Sequence, residues 1–545
     1  MTDLQGAQSG AAGEVDAERP TARDFSIPTW AYVLGALAVL AGVALRFVTR
    51  SELWLDEALT VNISNLPLGD LQAALKQDGA PPLYYALLHG WMSVFGTGDV
   101  AVRALAGVIS VATLPVIWMC GRRLGRPGPP GPLRTDPPSA RLLAALAVLV
   151  VATSPFAIRY GTESRMYSLV ILEVALGYLA LRRVFERPSL TRLAGAALIV
   201  GAMLYTQYWT IYLLTVMGLA FVWLAVRGTT PELRHAARGM LVALVAGGIL
   251  FLPWVPTFLY QRAHTGTPWG DGQLPFLSMS VTMDQFANGT SIVHTPANAL
   301  VFLYVVLLFL GGFGVAAGRT RIDLDLRTQP SVRWEFLAFV GVLGFALTAA
   351  WVGNSAFDGR YASIVFPLFV LVVAKGFLSF EWRRVLFAVL ALVVVFGFAG
   401  AARNVTDERT QAPEVADVLN AKAKPGDVVV YCPDQLGPAV HRLLRARGVT
   451  EVTYPSFDDP TLVDWVDYRD RIANADPTKF AQRIVAETGT DHAVWYVANS
   501  GYERFDERCN QLSGALVAQY PGAALELAAN QDAFEAANVT RFGGG

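Results

Sequence analysis

The sequence predicts a multi-span α-helical membrane protein, with about eleven transmembrane helices and a C-terminal extracytoplasmic α/β domain. Three observations predict it. Of 545 residues, 53% are hydrophobic and only 16% charged, and the apolar residues gather in uncharged runs near bilayer length. Arginines collect in every second connecting loop, the asymmetry that orients membrane helices. From about Asn404 the composition changes to that of a soluble domain. The formal net charge of −1 excludes a nucleic-acid footprint. Three cysteines are too few for a disulfide scaffold or a Cys-based zinc site.

Residues 1–26 are rich in Gly, Ala and acidic side chains, lack the basic start of a cleavable signal, and are read as a disordered cytoplasmic tail. The first span is Ile27–Leu45. A polar loop follows, carrying Trp54-Leu55-Asp56-Glu57-Ala58, Gly79-Ala80-Pro81-Pro82 and the aromatic run from Leu83 to Trp91. Its segments Leu66–Leu75 and Leu83–Phe95 are expected to lie along the membrane surface as amphipathic helices. Further spans fall near Val100–Met119, Leu142–Ile158 and Met166–Leu181. The run Leu193–Val226 is too long for one crossing and is expected to hinge at Gln207-Tyr208. Gly239–Gln261, Asn298–Gly318, Phe336–Val352, Tyr361–Val373 and Val385–Ala402 complete the membrane region, 27–403.

Loops opening at Gly121, Arg182, Arg227, Arg319 and Arg383 hold almost all the connecting-loop arginines and therefore face the cytoplasm. The N-terminus is then cytoplasmic and the C-terminal domain outside the plasma membrane. Asp56, Glu163, the loop after Arg262 and Arg360 all fall on that outer side. Region 404–545 reads as a small parallel or mixed sheet: strands at Val428–Tyr431, Thr450–Tyr454 and His492–Val497, helices at Pro413–Ala421, Gly437–Arg447, Pro477–Thr488 and Tyr502–Ala518. Cys432 and Cys509 pair there if it faces an oxidising compartment, while Cys120 is inert packing in a span. No Gly-rich phosphate loop opens its helices. Asn404-Val405-Thr406 and Asn538-Val539-Thr540 fit a glycosylation pattern that is frequent by chance.

Carboxylates beside bilayer-length apolar segments are costly and mark function. Asp56 suits a general base, taking the proton of an attacking hydroxyl. Arg165 and Arg360 suit a leaving phosphate. The competing structural roles are helix capping for Asp56 or Glu57, a tight-turn pair for Glu163 and Arg165, and snorkelling for Arg360. Tyr361 belongs to the substrate pocket, and Tyr84 and Tyr85 either to that pocket or, as anchors, to the membrane interface. His264 and His294, with Asp271 and Asp284, lack metal-ligand spacing.

Taken in order, Trp54-Leu55-Asp56-Glu57-Ala58, Pro81-Pro82-Leu83-Tyr84-Tyr85, Tyr160-Gly161-Thr162-Glu163-Ser164-Arg165-Met166-Tyr167, and Gly359-Arg360-Tyr361 with Phe366-Pro367 resemble the glycosyltransferase C superfamily. Within it the sequence is similar to the protein O-mannosyltransferase and lipid A aminoarabinose transferase families, over roughly the first 400 residues. The resemblance implies the glycosyltransferase C fold and an inverting transferase that uses a polyprenyl-phosphate sugar, mannose or another hexose or pentose. The acceptor would be a cell-envelope glycan, lipid or protein. Asp56 matches the catalytic aspartate of the first loop and Glu163 the acidic position of the second, with Glu57 beside them. Relatives often carry His or an acidic-basic pair where this chain has Gly79-Ala80, which leaves the donor sugar and a divalent metal ion open. A transporter would place ionisable groups near the midplane and show internal repeats; a non-catalytic envelope protein would not need the Asp56 side chain.

Overall fold

The computed structural model describes residues 27–126, 138–268, 270–290, 295–489, 491–499, 505–520 and 522–544; the tail 1–26, Arg134 and His294 lie outside them. In chain order the membrane part comprises α1 (Thr29–Leu45), α2 (Leu55–Ser64), α3 (Leu71–Asp78), α4 (Leu83–Phe95), α5 (Asp99–Leu124), α6 (Pro138–Thr153), α7 (Pro155–Gly161), α8 (Tyr167–Glu186), α9 (Leu190–Thr206), α10 (Thr210–Arg227), α11 (Pro231–Phe251), α12 (Val255–His264), α13 (Pro275–Asn288), α14 (Thr295–Phe313), α15 (Arg333–Val352), α16 (Phe366–Phe377) and α17 (Arg383–Thr406). A short antiparallel pair, β1 (Gly314–Ala316) and β2 (Ile322–Leu324), links α14 to α15.

Among the described residues, five helices are long and apolar enough to cross a membrane, six if the bent α6–α7 pair is one span. Thr29–Leu45, Leu190–Thr206, Asn298–Phe313 and Phe366–Phe377 are shorter apolar helices. The chain is an integral membrane protein. The count of about eleven expected from uncharged runs is not reached by the helices long and apolar enough to cross, because several of those runs fold as the shorter apolar helices.

In lipid, where burying apolar surface gives no drive, helices associate through small residues that let backbones touch. Here α5 meets α6 that way: a Cβ on Gly121 would stand 2.7 Å from Ala144 Cα, and one on Gly125 2.5 Å from Ala140 Cα. The α6–α7 bend, 57°, follows from Pro155, which has no N–H for the Val151 carbonyl. Arg46, 1% exposed at the end of α1, supplies the donors instead, to Val151 O at 2.8 Å and Ala152 O at 3.1 Å. The hinge expected at Gln207-Tyr208 falls between α9 and α10, where Gln207 is extended. Span ten begins later than expected, because a 3-10 turn occupies Gly359–Ile364 before α16.

Helix α17 runs through the expected boundary to Thr406, and Asn404 is buried, its amide donating to Asn288 O at 2.7 Å. A buried amide is closed to glycosylation; Asn538 lies within a strand. Beyond it come α18 (Ala412–Lys422), β3 (Val428–Cys432), α19 (Gly437–His441), β4 (Thr450–Thr453), α20 (Tyr468–Asn474), α21 (Pro477–Thr488), β5 (Val494–Ala498), α22 (Asp506–Gln519), β6 (Ala523–Leu527) and β7 (Asn538–Phe542). The sheet order is β4-β3-β5-β7-β6, parallel across its first three strands and antiparallel across the last. Two strands, β6 and β7, go beyond the sequence expectation, and the helix expected over Gly437–Arg447 stops at His441. Cys432 and Cys509 are joined in a disulfide; Cys120 is free and buried. One apolar cluster runs from Leu53, Tyr84 and Phe366 to Val415, Val429 and Trp495, so the α/β region packs directly onto the membrane part.

Candidate active site

Helix α2 opens at Trp54, whose extended backbone takes no side-chain cap. Asp56 and Glu57 fill its first turn, where carboxylates are favoured by the N-terminal partial charge. Asp56 makes no capping bond. Its Oδ2 receives Arg360 Nη1 at 2.7 Å and has Arg165 Nη2 at 3.7 Å. Its side chain keeps 18% of its exposure, and Oδ1 takes no hydrogen bond from a described residue.

Arg165, at the turn between α7 and α8, is steadied by Nη1 bonds to Thr60 Oγ1 at 2.9 Å and Tyr85 OH at 3.3 Å. Arg360 sits in the 3-10 turn, whose start is capped by Asp358 through the Arg360 N–H. Its guanidinium carbon lies 5.8 Å from the Trp54 ring and 5.7 Å from that of Tyr361, distances at which ring faces attract cations. Burial disfavours charge on both arginines, but Asp56 with Tyr85 around Arg165, and Tyr167 with Asp358 and Asp56 around Arg360, raise both above the ordinary value. Both stay cationic, and the Nε of each is buried without a hydrogen-bond partner.

Glu57 stands elsewhere. It is fully buried, grips Arg103 in a fork (Nε at 2.7 Å, Nη2 at 2.6 Å), accepts the Ser164 N–H at 2.9 Å, and lies 3.5 Å from Arg409 Nη1. Burial would raise its pKa; Arg103, Arg409 and the Ser164 amide outweigh that and hold it at about 2. Glu57, expected among the catalytic residues, ties α2 to α5, to the turn before α8 and to the segment after α17.

Glu163 is 1% exposed and paired with Arg159 at 3.1 Å, yet neither of its oxygens receives a hydrogen bond. Burial raises its pKa more than Arg159 and Arg409 lower it. It lines a cavity of about 70 Å³ shared with Trp54 and Arg360.

Tyr84 and Tyr85, expected in the pocket or at the membrane interface, are each 1% exposed. Tyr84 belongs to the core with Leu53 and Leu88. Tyr85 donates to Asp78 Oδ2 at 2.8 Å while accepting from Arg165, so it supports the site from beneath. Tyr361 is half-buried and stacks on Trp209, 4.9 Å between centroids. Gly79 ends α3 with a φ of 86°, a left-handed cap that admits Gly readily; the acid before it, Asp78, is the one that reaches Tyr85.

Residues from far along the chain complete the site. Arg409 donates to Thr162 O at 3.0 Å and Thr162 Oγ1 at 2.7 Å. Glu535, between β6 and β7, accepts the Leu55 N–H at 3.3 Å, and Phe534 meets Trp54 edge-on at 5.3 Å. No spacing links them to Asp56 in sequence, and no local motif marks them. Among the described residues no three His, Cys, Asp or Glu side chains are grouped to hold a metal ion.

Neither a protein-family model nor a curated protein matches the sequence. Among solved structures the chain is similar to ArnT from Cupriavidus metallidurans bound to undecaprenyl phosphate: TM-score 0.56 and 13% identity over 94% of this chain and 98% of that one. The apo form of the same protein gives a TM-score of 0.57. At a TM-score of 0.46 and 8% identity, a tethered-acceptor structure of the Archaeoglobus fulgidus oligosaccharyltransferase is more distant. The likeness to ArnT, a lipid A aminoarabinose transferase, is one of fold, and that fold is the glycosyltransferase C fold the motifs resemble.

Proposed function

We propose that the chain is an inverting glycosyltransferase that moves a sugar from a polyprenyl-phosphate donor to a cell-envelope acceptor outside the plasma membrane. One observation carries this: Asp56 is a part-exposed carboxylate with one oxygen held by arginine and the other open, where segments far apart in the chain converge. Asp56 Oδ1 accepts the acceptor hydroxyl and takes its proton as the oxygen attacks the anomeric carbon. The bond from that carbon to the phosphate oxygen breaks, and the electron pair stays on the phosphate. Arg165 and Arg360 stabilise that developing charge. An arriving phosphate that draws Arg360 toward itself leaves both Asp56 oxygens open to the acceptor hydroxyl. The bundle also holds a cavity of about 730 Å³, bordered by Leu181, Phe185, Met203, Met217, Phe221 and Leu337 and at one end by Arg126, Arg182 and Glu335, a mostly apolar volume that suits part of a lipid chain. ArnT, of the same fold, was solved with undecaprenyl phosphate, which supports a polyprenyl-phosphate donor; the sugar is mannose or another hexose or pentose.

The test is transfer of label. Purified protein with membrane acceptor fractions is given labelled polyprenyl-phosphate mannose or arabinose. Transfer that Asp56→Asn abolishes supports the proposal. No transfer from either donor overturns it; equal transfer by the variant removes Asp56 as the base and moves that role to Glu163.

A further inference from the structure

The small cavity beside the Asp56 cluster is walled from two directions. Glu163, Asp358 and Arg360 come from the membrane part, while Asp532 and Phe534 come from the β6–β7 loop of the C-terminal domain. That loop is fixed in place: Gln411 Oε1 accepts from Asn530 N at 2.8 Å and Ala537 N at 3.0 Å, and Glu535 N donates to Arg409 O at 3.0 Å. Its side chains alternate, Glu535 inward and Asp532 and Phe534 exposed. Phe534 therefore presents an apolar face, 56% exposed, at the cavity's edge.

The polar groups in the cavity are incomplete. Both oxygens of Glu163 and the Nε atoms of Arg360 and Arg409 are buried without hydrogen-bond partners. Native proteins leave few such groups, and each calls for an explanation. The unmet set includes acceptors and donors together. A phosphate only accepts and an ammonium only donates; a hydroxyl does both. The 70 Å³ is several times the ~15 Å³ that a cavity needs to admit one water, so it admits the hydroxyl edge of a ring rather than a whole sugar. The lining also carries more carboxylates than arginines, which repels the donor's phosphate.

We propose that this cavity is the acceptor subsite and takes the hydroxyl-bearing edge of a sugar ring, so that the acceptor is a glycan. Glu163 and Asp532 accept its hydroxyls, the free guanidinium N–H groups donate to them, and Phe534 covers the ring's C–H face. The assignment rests on the transferase reading above. A donor sugar shares the same hydroxyl chemistry, but the β6–β7 wall belongs to the soluble domain, the side from which an envelope acceptor arrives.

The experiment is binding without chemistry. Full-length protein in detergent is titrated with methyl mannoside, methyl arabinoside and a Ser/Thr peptide by saturation-transfer NMR. One glycoside should bind at millimolar concentration, and Asp532→Asn or Phe534→Leu should weaken it about tenfold, the loss of one good contact. Both side chains are exposed, so an unchanged melting midpoint shows each variant folded. Three results would overturn the subsite: no glycoside binding, equal binding by the variants, or displacement of the glycoside by polyprenyl-phosphate mannose. Peptide binding that the variants weaken would replace a glycan acceptor with a protein. Glycoside binding without any label transfer would leave the subsite standing and remove the transferase reading instead.

Discussion

Asp56 and Glu57 are consecutive on one helical turn, yet they anchor two different charged regions. The helix turns about 100° per residue, enough to send one carboxylate to a cleft and the next into the interior. The open region, Asp56 with Arg165 and Arg360, keeps side-chain exposures of 18%, 13% and 16%. The closed region, Glu57 with Arg103 and Arg409, keeps 0%, 7% and 3%. In the closed region both Glu57 oxygens are bonded and its proton is held off by the arginines. Such a group fixes geometry and has no capacity left for a substrate. In the open region each partner has a bonding site unused, which is what a reacting group needs.

The comparison breaks most readily at Asp56. Asp56→Asn retains shape but cannot take a proton, so turnover should fall about a hundred- to ten-thousand-fold, with the melting midpoint unchanged. Near-normal turnover would move the base to Glu163. The opposite pattern is expected of Glu57→Ala. It leaves Arg103 buried and unpaired, at about 3–5 kcal/mol, read as a lower denaturation midpoint in detergent; an unchanged midpoint would erase the distinction between the regions. Arg360→Lys keeps a charge near Asp56 but loses the fork that serves base and phosphate together. The donor KM should rise about tenfold, and an unaffected KM would leave the phosphate to Arg165 alone.

The smallest effect lies where the C-terminal α/β region touches α2. Burial raises the Glu535 carboxyl to about 8, against hydrogen bonds from Thr410 and Leu55 that lower it. The folded chain thus keeps a proton that the unfolded chain loses near pH 4.3. Wild-type stability should fall as pH rises from about 4 to about 8 and level off above that. Glu535→Gln keeps a carbonyl for the Leu55 N–H and cannot ionise, so its midpoint should decline less over that range. Parallel pH curves for the two proteins would show Glu535 ionised in the fold.

The membrane class, the helical segments, the α/β character of the C-terminal region and the origin of Asp56, Arg165 and Arg360 in polar segments between apolar helices were legible in the sequence. Each depends on local composition: apolar length, arginine bias and turn residues act over a few tens of residues at most. Tertiary structure alone decided which carboxylate of the Asp56-Glu57 pair faces the cleft, because both positions satisfy the same helix N-terminus. It also moved Tyr84 and Tyr85 from pocket and interface into the interior, where Asp78 and Arg165 engage Tyr85. Most of all, it brought Arg409, Phe534 and Glu535 to α2. Contacts between residues hundreds of positions apart depend on how the sheet docks on the bundle, and no periodicity along the chain encodes that docking.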